Sequence, residues 1–445
     1  MVQQTNARNM AVFTLIWFGQ LVSLIGSGLT SFALGIWVYQ HTGSVTQFAL
    51  IPLFASLPFI IISSIAGSFI DRWHRRLAML LSDLGAGLST GAIALMLFAN
   101  QLEVWHVYLA TAVSSICSAF QLPAYAASIT LLVPKQHLCR ANGLIYLGKS
   151  VAKVISPALA GILVVTMQIQ GVILLDFATF LFALLTLLIV RFPKVKKTPC
   201  GTEAKDSLLR EVVYGWTYIT SRPGLLGLTI FLTTTNFLLG IVIVLATPLL
   251  LSFTSTAVLG TVLSIGGSGM VFGSLLMTIW GGPKRLINSV FIFMLLSGLC
   301  ILVAGLRPDA SLFTLAAFLF FFGMPIINGS IQTIFQKKVI PSVQGRVFAL
   351  TGMIAESSLP LAYVIAGPLA DQVFQPLLTA DGPLAASLGK IIGIGTGRGI
   401  GLMFIVMGAL TILATIVAFQ YPPLRLVEEE LPDFDPAATT ASEQG

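Results

Sequence analysis

Five ionisable side chains stand well inside long apolar runs: Asp83, Lys149, Lys153, Asp176 and Glu356. A charge in such a run costs a few kcal/mol unless it is paired, wetted or neutralised, so each needs a structural partner or a chemical task. Burial raises a carboxyl's affinity for protons, which makes Glu356 and Asp83 candidates for loading and releasing one. Glu356 lies ten residues beyond Arg346, about 15 Å along a helix, and the competing reading of it is a fixed ion pair. Lys149 and Lys153 are four apart and share a helix face. Counted from the same end, Lys149 is about 12 Å deep and can reach back to a polar surface, whereas Lys153, at about 18 Å, needs a counter-charge, a wet cavity or an anionic ligand. Glu356 is one possible partner for it and an acidic small molecule is another. Asp176 reads as structural, and Asp83 could instead pair with arginines near residue 73. Gln20, Asn236, Asn328 and Gln332 offer hydrogen bonds either to a ligand or to a neighbouring helix.

The elements that must position these groups follow from composition. With 56% hydrophobic and 9% charged residues over 445 positions, the chain has far less charge than the roughly 25% of soluble domains. Its architecture is therefore an all-α polytopic membrane protein. Apolar runs predict twelve transmembrane helices as two six-helix repeats, at 11–39, 46–69, 77–99, 104–131, 141–167 and 171–192, then 225–252, 257–280, 286–306, 311–336, 346–371 and 397–420. Nineteen of the 24 Lys and Arg residues fall on one side of that arrangement. The positive-inside bias places both termini in the cytoplasm, so the net charge of +7 orients the chain in a bilayer and is not a nucleic-acid surface. The resulting division is 1–192 for the first bundle, 193–224 for a cytoplasmic linker with an interfacial helix, 225–420 for the second bundle and 421–445 for an acidic, solvated tail. Cys117, Cys139, Cys200 and Cys300 lack metal-ligand spacing, and neither metal nor cofactor is expected.

The two halves repeat one pattern. Val133-Pro134 and Arg140 lead into a run carrying Ser156-Pro157-Ala158-Leu159-Ala160-Gly161. Ile340-Pro341 and Arg346 lead into one carrying Gly367-Pro368-Leu369-Ala370-Asp371. Pro157, Gly161, Gly367 and Pro368 suit helix hinges and close packing. Two enzyme-like patterns fail on context. Gly143 to Ser150 matches a phosphate-binding loop, but such a loop needs a preceding strand and free backbone amides, which an apolar helix lacks. The glycines from Gly395 to Gly401 lack dinucleotide spacing and read as close helix packing.

Between the second and third runs, after 62 uncharged residues from Asn9 to Ile70, stands Gly67-Ser68-Phe69-Ile70-Asp71-Arg72-Trp73-His74-Arg75-Arg76. This stretch resembles the loop signature of the major facilitator superfamily. Together with Gln344-Gly345-Arg346-Val347-Phe348 and the repeat, it is similar to the drug:proton antiporter branch that includes macrolide and siderophore exporters. The resemblance implies two halves rocking about a central site, with Gly67, Asp71, Arg72, Arg75 and Arg76 latching the cytoplasmic ends. It further implies export of amphipathic small molecules in exchange for protons across the inner membrane. Export of an anionic siderophore and proton-coupled uptake are the alternatives on the same fold. A monomer is compatible with such a bundle, and no residue decides the oligomeric state.

Overall fold

The computed structural model describes residues 2–70, 75–133, 138–190, 216–280, 285–339 and 341–430. Among them every regular element is helical. A chain this apolar has no water to satisfy its peptide groups, and helices close those bonds within each segment. The helices are α1 (Val2–Thr42), α2 (Val45–Ile70), α3 (Arg75–Phe98) and α4 (Val104–Leu132). A continuous run over Leu138–Ile189 contains α5 and α6, joined where Gln168 adopts φ 58° and ψ 177°. Then come α7 (Pro223–Leu251), α8 (Thr256–Trp280), α9 (Leu286–Leu306), α10 (Ala310–Lys338), α11 (Pro341–Pro368) and α12 (Arg398–Gln420). Among the described residues eleven helical stretches are long and apolar enough to span a bilayer, and one of these, Leu147–Ile189, contains the α5–α6 break. The twelve crossings expected from the apolar runs are thus present. The connection between α1 and α2 is only two residues, made possible by Gly43 at φ 64°.

The residues fall into two compact units. The first comprises Met1–Lys197, Val244–Ile265 and Tyr363–Pro376, so the α7–α8 turn and the end of α11 pack with the first six helices. Inside it, Phe13, Ile16, Met79 and Leu187 form one buried cluster, and Leu34, Val38, Ile93 and Ile173 another. Arg76 ties α3 to α6 by donating to the carbonyls of Leu187 (3.2 Å) and Leu188 (2.8 Å), where a helix C-terminus welcomes a cation.

Two junctions in this unit use the repeated Gly-Pro pattern. On α5, Gly161 lies so close to α8 that an added Cβ would stand 3.0 Å from the Thr256 carbonyl and 3.2 Å from Gly260 Cα. At the end of α11, Gly367 is closed against the Thr46 backbone of α2. Beyond it the helix widens into a π turn over Leu369–Phe374. There Asp371 accepts from Ser44 Oγ (3.0 Å), Val45 N (3.2 Å), Thr46 N (2.8 Å) and Thr46 Oγ1 (2.7 Å), capping α2 from a distant segment.

The second unit comprises Thr198–Ile243, Gly266–Ala362 and Leu377–Gly445. Its α9 and α12 cross at two glycine pairs. A Cβ on Gly401 would come 2.8 Å from the Gly305 carbonyl, and one on Gly408 would come 2.7 Å from that of Gly298. Gly401 therefore serves close packing, as expected, whereas Gly395 (φ 112°) and Gly397 (φ 79°) shape the turn before α12. The acidic tail departs from a solvated end over its first residues. Helical turns at Pro422–Arg425 and Val427–Glu430 bring Glu428 to the N-terminus of α9, where it accepts from Leu286 N (3.2 Å) and Ile287 N (2.9 Å). Lys338 donates to the Glu428 carbonyl (2.6 Å), and Arg285 pairs with Glu429 at 3.3 Å. Free amides at a helix start attract a carboxylate, which outweighs the solvation of this part of the tail.

Candidate functional site: a cavity holding two carboxylates

The first unit encloses a cavity of about 710 Å³ lined by α1 to α6. One face of α1 supplies Trp17, Gln20, Leu24, Ser27 and Thr30, the three-to-four-residue spacing of a single helical stripe. The opposing walls carry apolar side chains such as Phe59, Ile93 and Phe180. Hydroxyl groups stand among them, Ser89 and Ser114 within 2.8 Å of each other, so the lining mixes apolar surface with hydrogen-bonding points as small-molecule pockets do.

At one level of α1 the cavity holds a three-helix hydrogen-bonded ring. Gln20 Nε2 donates to Asp83 Oδ2 (2.9 Å), Gln121 Nε2 donates to Asp83 Oδ1, and Gln121 Nε2 also meets Gln20 Oε1 at 2.9 Å. Asp83 is 7% exposed, and its partners are neutral amides. Two turns further along α1 sits Asp176 of α6, 3% exposed, which accepts from Ser27 Oγ at 3.4 Å. Gly26 makes room for it, since a Cβ there would lie 2.8 Å from Asp176 Oδ1. Among the described residues no basic side chain forms an ion pair with either carboxylate. The hydroxyls of Thr30 and Thr90 also turn to Asp176.

The residues singled out from sequence are thus partly gathered. Gln20, Asp83 and Lys149 border one cavity, with Lys149 next to Gly148, which packs on Trp17 and Leu21. Lys153 is exposed on α5 and Pro157 half-buried on the same helix. In the second unit Glu356, Asn328 and Gln332 are exposed, and Asn236 donates to the Ala355 carbonyl at 3.4 Å. Asp71 and Arg72 lie outside the described residues, as do the side chain of Arg75 and most of the linker with its interfacial helix. Gly67 lies in the last turn of α2. The phosphate-loop pattern, Gly143 to Ser150, is continuous helix in α5, which commits its amides to the helix ladder.

Sequence reasoning missed Gln121 and the capping role of Asp371, and it did not place Asp176 in the same cavity as Asp83. Gln121 is one more isolated polar residue in an apolar run and carried no distinguishing signal. Asp371 stands directly after the second Gly-Pro motif, and its position at the end of an apolar run was the available clue.

The family model described as Major Facilitator Superfamily matches residues 16–363. Macrolide efflux protein A of Streptococcus pyogenes is 28% identical over 365 residues, covering 81% of this chain and 90% of that protein. Multidrug efflux pump Tap of Mycolicibacterium fortuitum is 24% identical over 370 residues, covering 80% of this chain and 88% of Tap. Among solved structures, a bacterial homologue of the human lysosomal transporter Spinster, crystallised inward-facing and unoccupied, aligns with a TM-score of 0.72 at 14% identity, covering 96% of this chain and 99% of that one. With its helical architecture and a family match across most of its length, the chain belongs to the Major Facilitator Superfamily and is a multi-pass membrane transporter of small molecules, not an enzyme.

Proposed function

We propose that the protein exports amphipathic, drug-like small molecules from the cytoplasm by alternating access, in exchange for protons. The observation that carries this reading is the cavity itself: apolar walls suited to a lipophilic ligand, with two buried carboxylates that form no ion pair among the described residues. The efflux names of the relatives point the same way. Asp83 is the proton carrier that this cavity favours, since its amide partners can serve either protonation state. Glu356 remains the corresponding candidate in the second unit. The proposed setting is the plasma membrane with both termini inside, two six-helix bundles joined by the 193–224 linker, and the Asp71 loop latching the cytoplasmic ends. On that orientation the α1–α2 turn, the α7–α8 turn and the end of α11 meet at the outer face.

Energised cells producing the protein should accumulate several-fold less of a lipophilic fluorescent dye than cells without it. A protonophore should erase the difference, and Asp83→Asn should erase it without lowering protein level. Equal accumulation of a panel of amphipathic dyes with and without correctly inserted protein would overturn the export reading.

A further inference from the structure

We propose that the second unit binds the phosphate group of an anionic phospholipid, in a cavity of about 280 Å³ between the start of α9 and the end of α10. Four cationic side chains line it, Arg285, Lys337, Lys338 and Arg425, against two carboxylates, Glu428 and Glu429. The lining therefore keeps an excess of two positive charges with the tail in place. The Glu428 carboxylate shows what the site accepts: one negative charge spread over two oxygens, which take hydrogen bonds from Leu286 N and Ile287 N. A phosphodiester presents the same single charge and two free oxygens, so it competes for the donors that Glu428 holds. Lys338, only 8% exposed, reaches the Glu428 main-chain carbonyl, and Arg285 meets Glu429 with both side chains mostly in solvent. An exposed pair of that kind contributes little, so the hold on the tail carboxylates is open to exchange.

The position of the cavity selects a lipid as the source of the phosphate. The apolar span of α9 begins at Leu286 and that of α10 ends at Phe335, so the cations stand at the depth of the headgroups. From the cavity a stripe of α9 leads toward the bilayer core. Asn288 lines the cavity, and Ile292, Leu295 and Leu299 follow it at four- and three-residue spacing, 60%, 36% and 51% exposed. An acyl chain laid along that stripe places its phosphate among the cations. A soluble phosphate would gain nothing from the same stripe.

The site is independent of what the protein carries and in which direction, so its test needs no transport. Purified full-length protein in detergent is titrated with phosphatidylglycerol, with phosphatidylcholine of identical acyl chains, and with inorganic phosphate, and bound lipid is counted by native mass spectrometry. The tightest phosphatidylglycerol should bind about tenfold or more tighter than phosphatidylcholine, because only the former brings net negative charge to the basic cavity. Lys337→Gln and Arg425→Gln, at exposed positions, should each weaken phosphatidylglycerol by about fivefold, the worth of one basic side chain near an anionic headgroup, and leave phosphatidylcholine unchanged. Glu428→Gln should strengthen phosphatidylglycerol severalfold, since a neutral amide competes less well for the α9 donors. A contact that only fastens the tail would instead lower the unfolding temperature with no gain in lipid. Where Glu428→Gln fails to fold, the two exposed cation variants keep the test decisive. Inorganic phosphate in large excess should leave the lipid bound. Equal affinity for the two lipids, or a phosphatidylglycerol affinity indifferent to Lys337 and Arg425, would overturn the proposal. Displacement by inorganic phosphate would overturn the lipid source and make the occupant a soluble phosphate.

Discussion

Gly260→Leu is expected to lower transport at least tenfold while leaving the protein folded and inserted. A side chain at this position has no space: its Cβ would run into the Pro157 carbonyl of α5 and stand 3.1 Å from Gly161 Cα. Backbone cannot swing aside as a flexible side chain can, so α5 and α8 must separate. Overpacking of this kind costs about 1–3 kcal/mol, and each 1.4 kcal/mol is a factor of about ten in a two-state equilibrium. The cost falls only on the arrangement in which α5 and α8 touch. A transporter that must revisit that arrangement in every cycle therefore slows. Gly352→Ala provides the control, because a Cβ there meets nothing within 4 Å. The measurement is initial transport rate per correctly inserted protein, with thermal unfolding as the check on fold. Gly260→Leu with an unchanged rate would show that the α5–α8 contact is not visited in turnover.

Asp371→Ala is expected to open the junction between α2 and α11. The carboxylate collects four donors from Ser44, Val45 and Thr46, two of them backbone amides of the first turn of α2. Removing a helix N-cap costs about 0.5–2 kcal/mol, and here the cap comes from another segment, so its loss weakens a tertiary contact and not only a helix. Spin labels at the exposed positions Gln47 and Gln372, in a cysteine-free background, should show one short-distance population in the parent. Asp371→Ala should add a longer-distance population, about tenfold more abundant than in the parent for a shift near 1.4 kcal/mol. Asp371→Asn should fall between, because an amide oxygen still accepts hydrogen bonds but loses the attraction of a negative charge to a helix start. Identical distance distributions in parent and Asp371→Ala would remove Asp371 from the closure of this end.

The architecture was legible because its cause is one-dimensional. Runs of apolar residues long enough to cross a bilayer, broken by charge, set all twelve helices to within a few residues at most boundaries. The α1 helix begins earlier, at Val2, and α11 at Pro341, since a helix continues past the apolar run wherever its polar residues tolerate it. The cavity was half legible. Asp83 and Gln20 stood out as polar residues in apolar runs, yet their meeting through Gln121 depends on how α1, α3 and α4 pack, and no spacing within one helix encodes that. Asp176 looked structural by position in the chain, and the hydroxyls of Ser27, Thr30 and Thr90 that gather on it come from helices no single run connects. The Gly-Pro repeat was visible, but which helices it lets touch was not: α5 meets α8, and the end of α11 meets α2.

The most direct test of proton-driven export is flux in proteoliposomes. Protein oriented with its cytoplasmic side outward should draw an amphipathic dye into the lumen when the lumen is acidified, and should acidify the outside as it does so. Reversing the gradient should stop uptake, and Asp83→Asn should uncouple dye from protons. Dye uptake indifferent to the gradient in oriented, folded protein would contradict proton-coupled export, and uptake driven by the opposite gradient would make the protein a symporter.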